Sequence, residues 1–145
     1  NYKNNEIITI KNSEIAYNGG PRSDAGLIAY KAPYTTFDNN HVHDNYGSGV
    51  FVTINSHHST IINNKIENNG RLAVAARQKG IVGLTIRHGS KGTIVKDNVI
   101  INNHVSPDSP WKGKSQINKP QAKTKLEYVT FLAYTPSLLA YTIPR

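Results

Sequence analysis

The side chains best able to do chemistry at neutral pH are two histidine pairs, His57-His58 and the two imidazoles of His41-Val42-His43. Imidazole titrates near neutrality, so either pair offers a general base, a general acid or a metal ligand. Cations supply a second kind of chemistry. Residues 61–145 carry thirteen Lys and Arg against four Asp and Glu, whereas residues 1–60 carry four against five. That basic half would attract a polyanion, either acidic polysaccharide or nucleic acid, although a solvated basic surface kept for solubility accounts for it as well. The chain has no Cys, which excludes disulfides, zinc thiolate sites and thiol nucleophiles.

If Val42 faces inward on a strand, His41 and His43 project together on the outer side, a geometry suited to Zn²⁺ or Cu²⁺. No third or fourth ligand is evident beside them, so the sequence reading assigns no metal. Asp38 and Asp44 stand alone among Asn and His. They form no clear cluster of the several oxygens that Ca²⁺ takes, so Ca²⁺ stays open as a cofactor with no ligands assigned, and no other cofactor is evident.

A repeat must position these residues. Ser59-Thr60-Ile61-Ile62-Asn63-Asn64-Lys65-Ile66-Glu67-Asn68-Asn69-Gly70 is its cleanest copy. An apolar residue opens each copy at Ile10, Phe37, Ile61 and Ile94. A second follows five residues later at Ile15, Val42, Ile66 and Val99, and asparagine follows eight later at Asn18, Asn45, Asn69 and Asn102. The steps of 27, 24 and 33 residues fall in the range of solenoids. Each unit is too short to bury its own apolar side chains, but stacked neighbours can bury them. Asn at a fixed turn position can bond side chain to backbone in successive coils, which makes the Asn column structural. Val50-Phe51-Val52-Thr53-Ile54 alternates as a strand, with Val50, Val52 and Ile54 inward and Phe51 and Thr53 outward. Leu84 and Ile86 likewise point in. The extra residues after Gly70 add a loop, a short strand or a helix.

The apolar-x-x-Asn-x-x-apolar-x-x-Asn pattern, followed by Gly and a short strand, resembles the right-handed parallel β-helix repeat of the pectin-lyase-like superfamily. The resemblance covers residues 6–104. It implies an all-β, right-handed parallel β-helix of about four coils. Residues 105–145, with Pro107, Pro110, Pro120 and Trp111, are expected to form an irregular linker and a β-rich C-terminal cap, or an arm for oligomerisation. Members of that superfamily act on acidic polysaccharides as lyases, epimerases or hydrolases, or serve as surface and binding proteins. Fold alone does not choose among these.

Thr85-Ile86-Arg87-His88-Gly89 resembles the Arg-His-Gly segment of β-helical alginate and chondroitin lyases. The resemblance implies that Arg87 faces substrate with His88 beside it. A lyase or C5-epimerase must remove a proton next to a uronate carboxylate, which needs a base and a cation for the developing charge. Where those families place a lysine base, this chain has Asn55-Ser56-His57-His58, so His57 or His58 becomes the candidate base. Tyr30 and Phe51 are candidates to stack on sugar rings, and Arg77 and Lys79 to pair with carboxylates.

The expected function is therefore action on, or binding to, an acidic glycan, by lyase or epimerase chemistry or as a non-catalytic module. The paired carboxylates of hydrolases and the Asp-Pro-His of mannuronan epimerases are absent, as is any nucleic-acid motif. No apolar run is long enough to span a membrane. The chain starts within what reads as an earlier turn, so it is expected to be a piece of a longer β-rich protein, extracellular or at the cell surface.

Overall fold

The computed structural model describes residues 7–21, 25–75, 83–87 and 89–104. Beyond these it describes strands at 117–118, 125–127, 130–133 and 139–142. The first coil holds β1 (Thr9–Lys11), β2 (Glu14–Ala16) and β3 (Ala25–Tyr30). The second holds β4 (Thr36–Asp38), β5 (His41–His43) and β6 (Ser48–Thr53). The third holds β7 (Thr60–Ile62), β8 (Lys65–Glu67), the helix α1 (Arg71–Ala75) and β9 (Leu84–Ile86). The fourth holds β10 (Ile94–Lys96), β11 (Val99–Asn103) and β12 (Ile117–Asn118). Every third strand stacks in parallel on its counterpart, giving sheet A (β1, β4, β7, β10), sheet B (β2, β5, β8, β11) and sheet C (β3, β6, β9, β12). This is a parallel β-helix, as the repeat led us to expect, and the extra length of the third coil includes the short helix α1.

The core is one side chain deep. Phe37, Ile61 and Val95 stack inside sheet A, and Val42, Ile66 and Ile100 inside sheet B. Leu27, Val50 and Leu84, with Ala29, Val52 and Ile86, stack inside sheet C. Burying one such Ile, Val or Leu contributes about 1.5–3 kcal/mol, but only once neighbouring coils cover it.

The corners explain the asparagine. From the second coil on, each of the first two corners places a residue in the left-handed region and follows it with a buried amide. The left-handed residues are Asn39, Asn63 and Asp97 at the first corner and Asp44, Asn68 and Asn102 at the second, with φ between 49° and 57°. Asn and Asp tolerate that conformation better than other side chains. At the first corner Asn40, Asn64 and Asn98 form the ladder: Asn64 Oδ1 accepts from the Asn40 backbone N–H at 2.9 Å, and its Nδ2 donates to the Phe37 carbonyl at 2.9 Å. Asn45, Asn69 and Asn103 do the same at the second corner, and the exposed Asn18 only donates, from its backbone N–H and its Nδ2, to Asn45 Oδ1. Gly26, Gly49 and Gly83 make room for this second ladder, since a Cβ on them would lie 2.6–2.9 Å from the amides of Asn45, Asn69 and Asn103. Serine and threonine close the third corner: Ser56 N–H donates to Ser90 Oγ, and Ser59 and Thr93 hydroxyls donate to the carbonyls of Ser56 and Ser90.

One expectation changes. The fourth copy is shifted by one residue, because Val95 pairs with Ile61 and Ile100 with Ile66, whereas Ile94 and Val99 are each 39% exposed. A slip of one flips every side chain of a strand to its other face. Adjacent apolar residues and the Asn102-Asn103 pair satisfy either register in the sequence. Asn98 breaks the tie, lying three residues after Val95 as Asn64 lies after Ile61. The ladder residue is thus Asn103, and Asn102 is the left-handed turn. Strand stacking continues past Asn103. Strands β13 (Lys125–Glu127) and β14 (Thr130–Ala133) add in parallel to β10 and β11, and β15 (Leu139–Thr142) pairs antiparallel with β14 at the end of sheet B.

Candidate functional site

Of the residues picked out by sequence, Arg77, Lys79 and His88 lie outside the described residues. Tyr30 projects outward from sheet C, 58% exposed. Phe51 and Thr53 also alternate outward from Val50 and Val52, but both are buried, as is Thr85 opposite Phe51. Phe51 is therefore no open platform for a sugar ring. Its face carries the Arg87 guanidinium, 4.5 Å from the ring centre. The hydroxyls of Thr53 and Thr85 and the Nε of Arg87 are buried without a hydrogen-bond partner among the described residues. Ile54, expected in the core, is only half-buried and takes a left-handed turn with φ of 47°.

His57 and His58 occupy the corner from sheet C to sheet A. Tyr34 N–H donates to the His57 carbonyl and His58 N–H to the Lys91 carbonyl, so this corner stacks coil on coil. The His58 ring lies between the Tyr34 ring, stacked at 5.3 Å and 19°, and Gly92, where a Cβ would meet Nδ1 at 2.5 Å. No described hydrogen bond or ion pair joins either histidine to Arg87. The corner is instead an exposed ridge of Tyr30, Lys31, Tyr34, His58 and Lys91, with half-buried His57. Lys31 Nζ sits 5.5 Å from the centre of the Tyr30 ring. None of Lys31, Lys91 and Arg87 pairs with a carboxylate among the described residues. Tyr34, Lys31 and Lys91 were not singled out from sequence. The signal available was the third corner's own column, which places Tyr34, His58 and Gly92 one residue ahead of the buried Thr35, Ser59 and Thr93.

A second cluster lies on the outer face of sheet B. Register sets Glu14 opposite His41 and His41 opposite Lys65, with His43 opposite Glu67 one row along. The imidazoles of His41 and His43 are 4.1 Å apart. His43 Nδ1 donates to Asp44 Oδ2 at 2.8 Å, and its Nε2 faces Glu14 Oε1 at 2.9 Å. His41 Nε2 donates to Glu67 Oε1 at 2.7 Å, and Lys65 Nζ reaches the same oxygen at 2.7 Å. The Asp44 hydrogen bond does most to raise the pKa of His43; burial works against it, and Glu14 adds to the rise. Burial pushes Glu67 up, but hydrogen bonds from Lys65 and His41 outweigh it and hold the carboxyl below its ordinary value. The sequence reading weighed His41 and His43 but missed Glu14 and Glu67. Both stand one residue from the apolar column Ile15, Val42 and Ile66, so that column located them once read for its flanks.

Three parallel sheets closed by asparagine and serine ladders, with polar clusters on the outside of the strands, define a β-helix. Residues 2–119 match the family described as right handed beta helix region, and the chain belongs to that family. No curated protein and no solved structure matches it. No helix among the described residues is long and apolar enough to cross a membrane.

Proposed function

We propose that this β-helix binds an acidic polysaccharide along the ridge between sheets C and A. One observation carries the reading: solvent-facing aromatic rings alternate there with cations that have no carboxylate partner among the described residues. Tyrosine faces suit the apolar faces of sugar rings, and Lys31, Lys91 and Arg87 suit uronate or sulfate groups. Successive corners repeat along the helix axis, which matches a polymer of repeating charge. A partner of this kind fits a protein working outside the cell or at its surface.

Lyase or epimerase chemistry would use His57 or His58 as base and Arg87 to neutralise the uronate. Binding is the better-supported reading, because no described contact brings those groups together. Retention on immobilised alginate, pectate and chondroitin sulfate tests it. Wild type should bind at least one polymer and elute with salt, and Lys31→Ala with Arg87→Ala should weaken retention about tenfold or more. Retention that is absent, or indifferent to those substitutions, rejects the proposal. Release of an unsaturated uronate by wild type, lost in Arg87→Ala, would make the ridge an active site.

A further inference from the structure

We propose that Glu14, His41 and His43, on the outer face of sheet B, form a site for a divalent transition metal of the Zn²⁺ class. One ligand atom from each, a nitrogen of either ring and a carboxylate oxygen, lie within 4.8 Å of one another. Two imidazoles and one carboxylate are borderline ligands of the kind Zn²⁺ takes, leaving room for water at the remaining positions.

The surroundings point the same way. Metal-binding histidines characteristically donate their other ring N–H to a carboxylate, which fixes the tautomer and aims the lone pair. Both histidines have such a partner: Asp44 holds His43 Nδ1, and Glu67 holds His41 Nε2. His43 Nε2 already faces Glu14, and His41 is left with Nδ1 to offer. An incoming cation takes the place of the proton between His43 Nε2 and Glu14 Oε1, and that proton leaves to solvent. With both rings neutral, the carboxylates of Glu14, Asp44 and Glu67 against the Lys65 ammonium leave two negative charges, the complement of a divalent ion. The ligands come from β2 and β5, two parallel strands of adjacent coils, with His41 and His43 on one strand at the spacing that projects both to one side. That rigid backing lowers the ordering cost of assembling the ligands.

Calorimetric titration of the chain with Zn²⁺ alone tests this. One equivalent should bind at micromolar metal. His43→Gln and Glu14→Gln should each lower affinity about a hundredfold, and Asp44→Asn about tenfold, as for an outer-shell partner. His57→Gln should bind as wild type does. Co²⁺ should develop visible absorption on wild type and none on His43→Gln. Failure of wild type to bind, or undiminished binding by both His43→Gln and Glu14→Gln, would show an ion-pair network only and overturn the site. Glu14 is 72% exposed, so Glu14→Gln keeps the test decisive even if a histidine variant misfolds.

Discussion

The asparagine ladders and the outer face of sheet B both stack polar side chains coil upon coil, yet they do opposite work. In the ladders each coil from the second on repeats one residue type, buried, uncharged and bonded to backbone: Asn45, Asn69 and Asn103 make the same contacts one after another. On the outer face each coil brings a different residue to the same column, Glu14, then His41, then Lys65, and the contacts run between side chains. A buried amide that satisfies two backbone groups holds the solenoid together. A row whose chemistry changes from coil to coil adds little stability and is free to recognise something.

The sharpest way to break that contrast is Asn69→Ala. It strips the backbone N–H of Asn45 and the carbonyl of Val42 of their partners, both inside the protein. A buried polar group left unsatisfied costs about 1–3 kcal/mol. We expect a loss of about 3 kcal/mol or more in urea unfolding, with the denaturant slope unchanged. A loss below about 1 kcal/mol would mean that the ladder is not what closes this corner.

Sheet C supplies a substitution of opposite sign. Thr85 is fully buried on the outward side of β9, and its hydroxyl has no partner among the described residues. Thr85→Val keeps the branched shape and removes a desolvated hydroxyl, so stability should rise by about 1 kcal/mol. The melting temperature checks this; a fall would mean that the hydroxyl is bonded after all.

The ladders were legible in the sequence because they repeat. Asn18, Asn45 and Asn69 recur with the apolar columns, and only the fourth copy was misread, where Ile94-Val95 and Asn102-Asn103 offer the same residue types in either register. The outer clusters were legible only in part, because chemistry that is assembled from different residues in successive coils leaves no periodic mark. His41 and His43 were visible as a pair. Glu14 comes beside them only through the 27-residue step that sets Ile15 against Val42. The burial of Phe51 could not be read at all, since alternation says which side a residue faces and not whether that side is open.

Acid acts on the half-buried His104. Burial lowers the pKa of His104, and the Arg71 charge adds to the fall. The unfolded chain, with an ordinary imidazole near pH 6.5, therefore binds the proton more readily than the folded one. Stability contributed by neutral His104 is present above that value and is lost as pH drops below it. In His104→Asn the fall in unfolding free energy between pH 7 and pH 5 should be shallower than in wild type. Equal slopes would show that His104 titrates alike in both states.

The smallest expected effect is also the most discriminating for the outer face. Lys65 reaches Glu67 at 2.7 Å, but half of its side chain is in water, 49% exposed. Glu67 is only 13% exposed but keeps His41 as a partner, and a pair with a half-exposed cation contributes about 0.2–1 kcal/mol, which salt screens. Lys65→Ala should therefore change stability by less than about 1 kcal/mol, and still less at high salt. It leaves Glu67 to hold His41 alone and removes the one cation from the cluster, so Zn²⁺ affinity should rise by a fewfold while stability stays level. If stability instead falls by 2 kcal/mol, the row is a structural strut like the ladders. The contrast between a stabilising interior and a recognising exterior would then be gone.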